Sequence, residues 1–291
     1  MGHIPVLLTE VADGLNLRNG AIIVDCTFGG GGHSTAIAQA IGTQGRIIAL
    51  DQDPAVREYA APVLNTYPYI ELVQKNFSEL TEVLKERGIS AVDGMVFDLG
   101  ISSFQIDEPE RGFSWQQDCP LDMRMNTNKA LTAADIVNQS RESDLADTIY
   151  RYGEERYSRR IAKNICLTRQ KDRITTSGQL KTIILRSVTG SYAAKNASIS
   201  RVFQALRIAV NDELGILENS LRGAVALLKP GGRLAVISFH SLEDRIVKNT
   251  FRALKSCLTS LTKKPLTAGA AELKNNPRAR SAKLRIGEKN G

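Results

Sequence analysis

Four consecutive glycines at positions 29–32 follow a short apolar run and precede a stretch of helical pattern. Glycine permits positive φ angles and a close approach to the backbone, and the first turn of a helix offers unpaired N–H groups. Such a loop can bind the polar part of a nucleotide-like ligand. Asp51 ends the next apolar run. Asp51 lies roughly 20 residues after the glycine loop. In a doubly wound fold, this is the place of the carboxylate that accepts hydrogen bonds from ribose hydroxyls.

The glycine loop does not match the dinucleotide fingerprint G-x-G-x-x-G/A. Its last position is Ser34 when counted from Gly29 and Thr35 when counted from Gly30, which disfavours a nicotinamide oxidoreductase. That class is kept as an alternative. Asp25 at a strand end, followed by an Asp-x-x-x-Gly-x-Gly loop, is instead similar to the first motif of S-adenosylmethionine-dependent methyltransferases. In those enzymes the loop faces the methionine part of the cofactor, and the acid on the second strand faces its ribose.

Two more polar loops follow predicted strands, one over 98–125 and one around His240. Ligands of open α/β sheets bind at the carboxyl ends of the strands, so both loops are candidate parts of a site. Phe113 and Trp115 lie in the first loop, where they either stack on a nucleic-acid base or anchor a helical segment. Both readings stay open from the sequence alone.

The elements that must position these loops alternate between apolar runs and helical patterns, which predicts an α/β fold, a Rossmann-like doubly wound sheet. Helices are predicted after Ser34, after Pro54 and from Ser78 to about Arg87. The predicted strands are 21–27, 46–51, 69–75, 92–98 and 232–239.

An insertion separates the fourth and fifth predicted strands, because a crossover needs only about a dozen residues and far more intervene. Helical spacing of apolar residues within and after it covers 132–149, 154–170, 177–189 and 198–228, so the insertion is predicted to be all-helical. A turn at 229–232 is expected to return the chain to the sheet, and Ser241 with Asp244 resembles a cap that opens a final helix. The predicted division is a methyltransferase domain over 1–105, a substrate-recognising helical insertion over 106–212 and the second part of the methyltransferase domain, with a basic tail, over 213–291.

Composition narrows the class of protein. The chain has 291 residues, of which 42% are apolar. It has no apolar run near the ~20 residues of a membrane span and no leader pattern, so a cytoplasmic protein without membrane contact is expected. Its four cysteines are far apart and form no C-x-x-C pair, which predicts neither a metal site nor disulfides.

The net charge of +7 is concentrated in two regions. Residues 252–291 contain ten lysines and arginines against two acids, and residues 151–173 contain eight against three. A solvated helix face explains either region alone. Together they favour a polyanionic partner.

Ten short motifs, spread nearly from end to end, together resemble those of one family. They occupy 3–10, 27–34, 51–54, 98–103, 111–114, 120–125, 152–156, 203–208, 238–245 and 276–281. The family is the bacterial 16S ribosomal RNA (cytosine-N4) methyltransferase family. Phe104, where proline is frequent, and a shorter segment before Asn276 depart from the family pattern on the substrate side.

The resemblance implies an S-adenosylmethionine-dependent enzyme acting on a cytosine in the decoding region of 16S rRNA, within the small ribosomal subunit. It leaves the oligomeric state open, with a homodimer as one option. The alternative is a noncatalytic ribosome-assembly or RNA-binding factor that retains the cofactor. The cofactor contacts that the resemblance implies are Gly31, Gly32, His33, Asp51, Phe77, Asp98 and Gln105.

Methylation of a cytosine amine sets its own requirements. The lone pair is delocalised into the ring, so the reaction needs acceptors for the amino hydrogens and an in-line arrangement of nitrogen, methyl and sulfur. Other amino methyltransferases use an Asp- or Ser-Pro-Pro-aromatic turn after the fourth strand. Asp98, with Ser102 and Ser103, occupies that place without the prolines. Asp98 is therefore the candidate catalytic residue, with cofactor binding as its rival role, and the chemistry requires neither metal nor covalent cysteine.

Overall fold

The computed structural model describes residues 5–291, so the first two residues of the 3–10 motif lie outside the described part. The chain forms two compact units. One comprises the chain up to Ile101 together with Leu214–Gly291, and the other comprises Ser102–Glu213. The assignment of cofactor binding to the first and substrate recognition to the second stays a prediction.

A seven-stranded sheet forms the centre of the first unit. Its order is β3-β2-β1-β4-β5-β7-β6, with β7 antiparallel to its neighbours and the other pairs parallel. The central strands are buried on both faces, as apolar runs flanked by crossover helices require. This architecture confirms the predicted Rossmann-like fold. The strands are β1 Ile22–Asp25, β2 Arg46–Asp51, β3 Ile70–Gln74, β4 Val92–Asp98, β5 Leu228–Ser238, β6 Leu258–Ser260 and β7 Lys283–Lys289.

Strands β6 and β7 lie in the region predicted to be a basic tail, where no strand was expected. In β7, Leu284 and Ile286 are buried, and so is Arg285. The Arg285 guanidinium donates to the Asp244 carboxylate (Nε to Oδ1, 2.7 Å), and Lys283 Nζ lies 3.6 Å from the same group. Part of the basic charge of this region is therefore neutralised within the sheet unit.

The turn expected at 229–232 lies inside β5. Gly231 has a left-handed φ of 76°, and the pairing of β4 with β5 shifts register there. The residues form a bulge in a continuous strand, because an irregularity with positive φ can be absorbed between paired residues without ending the strand.

Helices surround the sheet and make up the second unit. They are α1 Leu8–Leu15, α2 Gly32–Ile41, α3 Val56–Thr66, α4 Leu80–Glu86, α5 Ser103–Asp107, α6 Ala133–Gln139, α7 Glu142–Gly153, α8 Ser158–Arg169, α9 Ser177–Ser187, α10 Tyr192–Asn211, α11 Glu213–Leu227, α12 Ser241–Ala253 and α13 Ala270–Asn275. No helix within 5–291 has the length and apolar character that a membrane span requires.

The single long helix predicted over 198–228 is wrong. Helix α10 ends at Asn211, Asp212 adopts a left-handed φ of 53°, and α11 begins at Glu213. Buried Asn211 fixes this end, since its Nδ2 donates to Met123 O (2.8 Å) and its Oδ1 accepts from Met125 N (2.8 Å). The apolar periodicity continues through the break, which is why the sequence pattern did not reveal it.

The predicted helix over 132–149 is likewise interrupted, at Ser140 and Arg141, which separate α6 from α7. The core of the second unit is built from apolar residues of α6 to α10. Phe113 and Trp115 are partly buried against it, an arrangement that favours their anchoring role.

Candidate functional site

Asp25 ties together the two ends of the glycine loop. It ends β1 and is buried, and its Oδ1 accepts from Thr27 N (3.1 Å) while its Oδ2 accepts from Ser34 Oγ (2.7 Å) in the first turn of α2. Burial raises the pKa of Asp25, although the Ser34 hydroxyl opposes the shift. The sequence analysis identified Asp25 as the acid of the loop motif but missed Ser34 as its partner.

The glycine loop is closely packed, which leaves no room for larger residues. Gly29 and Gly31 have left-handed φ angles of 52° and 73°, and a Cβ on Gly31 would lie 2.6 Å from Cζ of Phe28. A Cβ on Gly32 would lie 2.2 Å from Cγ of Pro5. Among the described residues, no side chain caps α2 at Gly31, so the amides of its first turn suit the carboxylate end of an amino-acid-like ligand.

Asp51 connects the end of β2 to the same loop. Its Oδ2 accepts from Gly29 N (2.8 Å) and its Oδ1 from Asp53 N (2.9 Å). Each carboxylate oxygen has a second lone pair, so both can also accept from ribose hydroxyls. Burial raises the pKa of Asp51 to about 6, and the two amide hydrogen bonds oppose that rise.

Buried His33 and half-buried Asp98 form a polar pair beside the loop. Asp98 ends β4, and its N–H donates to Thr27 Oγ1 (2.6 Å). Its Oδ2 lies 3.5 Å from His33 Nε2, and its buried Oδ1 has no hydrogen-bond partner within 5–291. Burial alone would lower the pKa of His33, but Asp98 outweighs burial and raises it. A buried acceptor without a protein partner is a place for a polar ligand group.

Phe77 begins a short 3₁₀ turn after β3, and its ring meets Phe97 edge to face with centroids 5.5 Å apart. Asn76 caps this turn and donates from Nδ2 to Gln52 Oε1 (2.9 Å), which joins the loops after β2 and β3. The partly exposed ring of Phe77 can therefore contact an adenine at the carboxyl edge of the sheet.

Five of the predicted site residues lie at one edge of the sheet in the first unit, at strand ends or in the loops that follow them. The parallel register of the strands requires this arrangement. They are Gly31, Gly32, His33, Asp51 and Asp98, with Phe77 following the neighbouring strand. Gln105 belongs to the second unit, where its side chain accepts from Ser102 N (3.0 Å) in a capping box.

The loop after β5 differs from its prediction. His240, rather than Ser241, caps α12: its Nδ1 accepts from Glu243 N (3.3 Å), and Glu243 Oε2 accepts from His240 N (3.3 Å). Asp244, the expected partner of Ser241, is instead bound by Arg285. Across 5–291, no group of three or more His, Cys, Asp or Glu side chains is arranged to hold a metal ion.

The ionisation of Asp51 predicts a pH dependence of cofactor affinity. The ionised carboxylate can accept from both ribose hydroxyls, whereas protonation replaces one acceptor by a donor. With a pKa of about 6, Asp51 is ionised at pH 7.5 and mostly protonated at pH 5, so we expect affinity to weaken about tenfold between these values. Calorimetric titration across this range measures the effect.

Asp51→Asn is the matched control for that titration, since any pH dependence it retains comes from other groups, such as His33 and Asp25, whose pKa values are also raised. An affinity of the unmodified protein that stays constant from pH 7.5 to pH 5 would contradict this role of Asp51.

A model of the MraW methylase family matches residues 1–290. Among solved structures, a candidate rRNA methylase from Clostridium thermocellum has a TM-score of 0.50 at 12% identity, covering 99% of this chain and 100% of that one. A candidate methyltransferase from Streptococcus mutans, in complex with SAH, has a TM-score of 0.47 at 11% identity, covering 99% of each chain. At 12% identity, the similarity to the Clostridium thermocellum protein is evidence of a shared fold only.

Proposed function

This chain belongs to the MraW methylase family, and on that premise we propose that it methylates N4 of one cytosine in the decoding region of 16S rRNA, in the small ribosomal subunit. It is an S-adenosylmethionine-dependent methyltransferase. Because the chain belongs to a methylase family, the alternative of a nicotinamide oxidoreductase is ruled out. A cytoplasmic location is part of the proposal, because small subunits are the expected substrate.

The cofactor is proposed to lie against the glycine loop of the first unit. The left-handed backbone at Gly31, the glycine at position 32 and the start of α2, which no described side chain caps, fit its methionine part, and Asp51 fits its ribose. Phe77 fits its adenine. Gln105 stays a prediction from the family resemblance alone. When bound, the cofactor supplies a methyl group on a positively charged sulfur.

Asp98 is the proposed catalytic residue. Its backbone is fixed by Thr27, and its buried Oδ1 is available to accept an amino hydrogen of the target base. Accepting that hydrogen keeps the amine oriented and stabilises the positive charge that develops on nitrogen during transfer. His33 Nε2 lies 3.5 Å from the other carboxylate oxygen, Oδ2.

One observation carries the proposal: a buried oxygen of Asp98, which has no hydrogen-bond partner among residues 5–291, stands at the sheet edge that also holds the glycine loop and Asp51. A purely structural carboxylate at this burial would be expected to have both oxygens satisfied, as in Asp25. The arrangement favours an acceptor that completes its hydrogen bonding with ligand.

The test is transfer of labelled methyl from S-adenosylmethionine to small subunits isolated from cells lacking this protein. We expect one methyl per subunit, located at N4 of a decoding-region cytosine by nuclease mapping. Binding of cofactor and subunits without any transfer would instead support the noncatalytic assembly factor.

A further inference from the structure

Seven of the eight cations of the 151–173 region, all except Lys171, fall into two groups in the structure. Arg151 pairs with Asp147 (3.8 Å), and Arg173 pairs with Asp135 (3.3 Å). Arg169 donates to two backbone carbonyls at the end of α6, each at 2.7 Å. These three arginines are engaged by the fold itself, so they are poor candidates for an external partner.

A second group forms what we call the basic face, consisting of Arg156, Arg159, Arg160 and Lys163. All four side chains are exposed, and none forms an ion pair within the described chain from residue 5 onward. Arg159, Arg160 and Lys163 lie on α8, which contains no acidic residue. Arg156 precedes α8, and its guanidinium lies 4.8 Å from the centroid of the Tyr157 ring.

This charge pattern opposes the helix that carries it. Arg159 and Lys163 are four residues apart, so two like charges are neighbours on the helix surface. Arg159 and Arg160 also lie in the first turn, where the helix dipole favours acids and disfavours cations. The fold therefore tolerates the basic face at some cost in stability, and the helix persists because its opposite side is packed in the core.

We propose that the basic face binds the phosphodiester backbone of the RNA substrate. This inference rests on the proposed function, because it takes ribosomal RNA as the partner. Three of the four cations are arginines, whose planar guanidinium binds phosphate oxygens in pairs. Arg159 to Lys163 spans about 6 Å of helix axis, so both cations can contact one short stretch of backbone.

The structure favours RNA over an anionic membrane surface. A basic helix that binds membranes presents an apolar face to the lipid. On α8 the apolar residues Ile161, Ala162 and Ile165 are buried in the core of the second unit. Leu167 is the one large apolar side chain of α8 that is exposed, so the helix offers charge and a single apolar residue rather than an apolar face.

The experiment compares two triple variants of the full-length enzyme that lose the same charge. The test variant is R159Q/R160Q/K163Q. The control is R141Q/R151Q/R173Q, in which each arginine is exposed and already paired with an acid. Steady-state methyl transfer to small subunits from cells lacking the enzyme is measured at several salt concentrations.

For the test variant we expect KM for subunits to rise about tenfold or more, while kcat and cofactor affinity stay within about twofold. The slope of log KM against log salt should become shallower by about two, since each lost phosphate contact removes about 0.7 to 0.9. Its melting temperature should equal or exceed that of the unmodified protein, because repulsion within α8 is relieved. R159K/R160K should keep most of the affinity.

Equal KM values for the test variant and the unmodified enzyme would overturn the inference, and so would an equal loss in the control variant. Loss of binding to anionic phospholipid vesicles, with subunit KM unchanged, would assign the face to a membrane instead. If the unmodified enzyme transfers no methyl, the proposed function fails. The inference is then tested by filter binding of small-subunit RNA to the same variants. An affinity and a salt slope of the test variant that equal those of the unmodified protein would overturn it.

Discussion

Asp98→Asn is expected to lower single-turnover methyl transfer by roughly two to three orders of magnitude, the scale found when one aimed electrostatic group is lost. Cofactor affinity should change less than about tenfold. Asparagine keeps the size of the side chain but removes its charge and replaces an acceptor oxygen by a donor. The substitution should therefore lower the rate of methyl transfer, in which positive charge develops at the amine, more than it lowers the affinity for a neutral ligand group.

Rapid-quench transfer at saturating cofactor, combined with calorimetric titration, separates the two roles of Asp98. Asp93→Asn is the matched control, since Asp93 lies on the same strand and binds Ile22 N and Lys229 at its other end. If Asp98→Asn loses affinity in proportion to activity and saturating cofactor restores the rate, Asp98 only binds cofactor. The acceptor must then be a backbone carbonyl of Leu99 or Gly100, or a hydroxyl of Ser102 or Ser103.

Asp51→Ala is expected to weaken S-adenosylmethionine binding on the order of a hundredfold. Two hydrogen bonds to ribose hydroxyls, at ~1–1.5 kcal/mol each, account for about 2–3 kcal/mol of binding free energy. Calorimetric titration at pH 7.5 measures the loss.

The substitution also removes the acceptor for Gly29 N and Asp53 N, so its fold is checked by thermal unfolding. Asp51→Asn supplies the comparison, because it retains one acceptor oxygen and should lose less affinity than alanine. Unchanged affinity in a folded Asp51→Ala protein would remove Asp51 from the ribose site.

The parallel part of the sheet was predictable because its strands are buried on both faces and so appear as continuous apolar runs. Strand β7 gave no such signal. Its buried Arg285 is compensated by Asp244, which is distant in the sequence, and a local pattern cannot show a partner that only tertiary folding supplies. The break at Asp212 was hidden for a related reason, because Asn211 fixes it through two backbone groups far along the chain.

The site was predictable as a set of strand ends, since parallel strands place their carboxyl ends at one edge. Its internal contacts were not. The bond from Ser34 to Asp25 and the approach of His33 to Asp98 depend on how α2 packs against β1 and β4. The cap of α12 was misplaced by one residue because histidine, which is uncommon as a cap, accepts through its ring nitrogen.

Mass spectrometry of small-subunit RNA from cells lacking this protein tests the central proposal most directly. The account predicts that one N4-methyl is missing from one decoding-region cytosine, that the unmodified gene restores it, and that the Asp98→Asn gene does not. An RNA whose decoding-region cytosines carry the same methyl groups with and without the protein would contradict it.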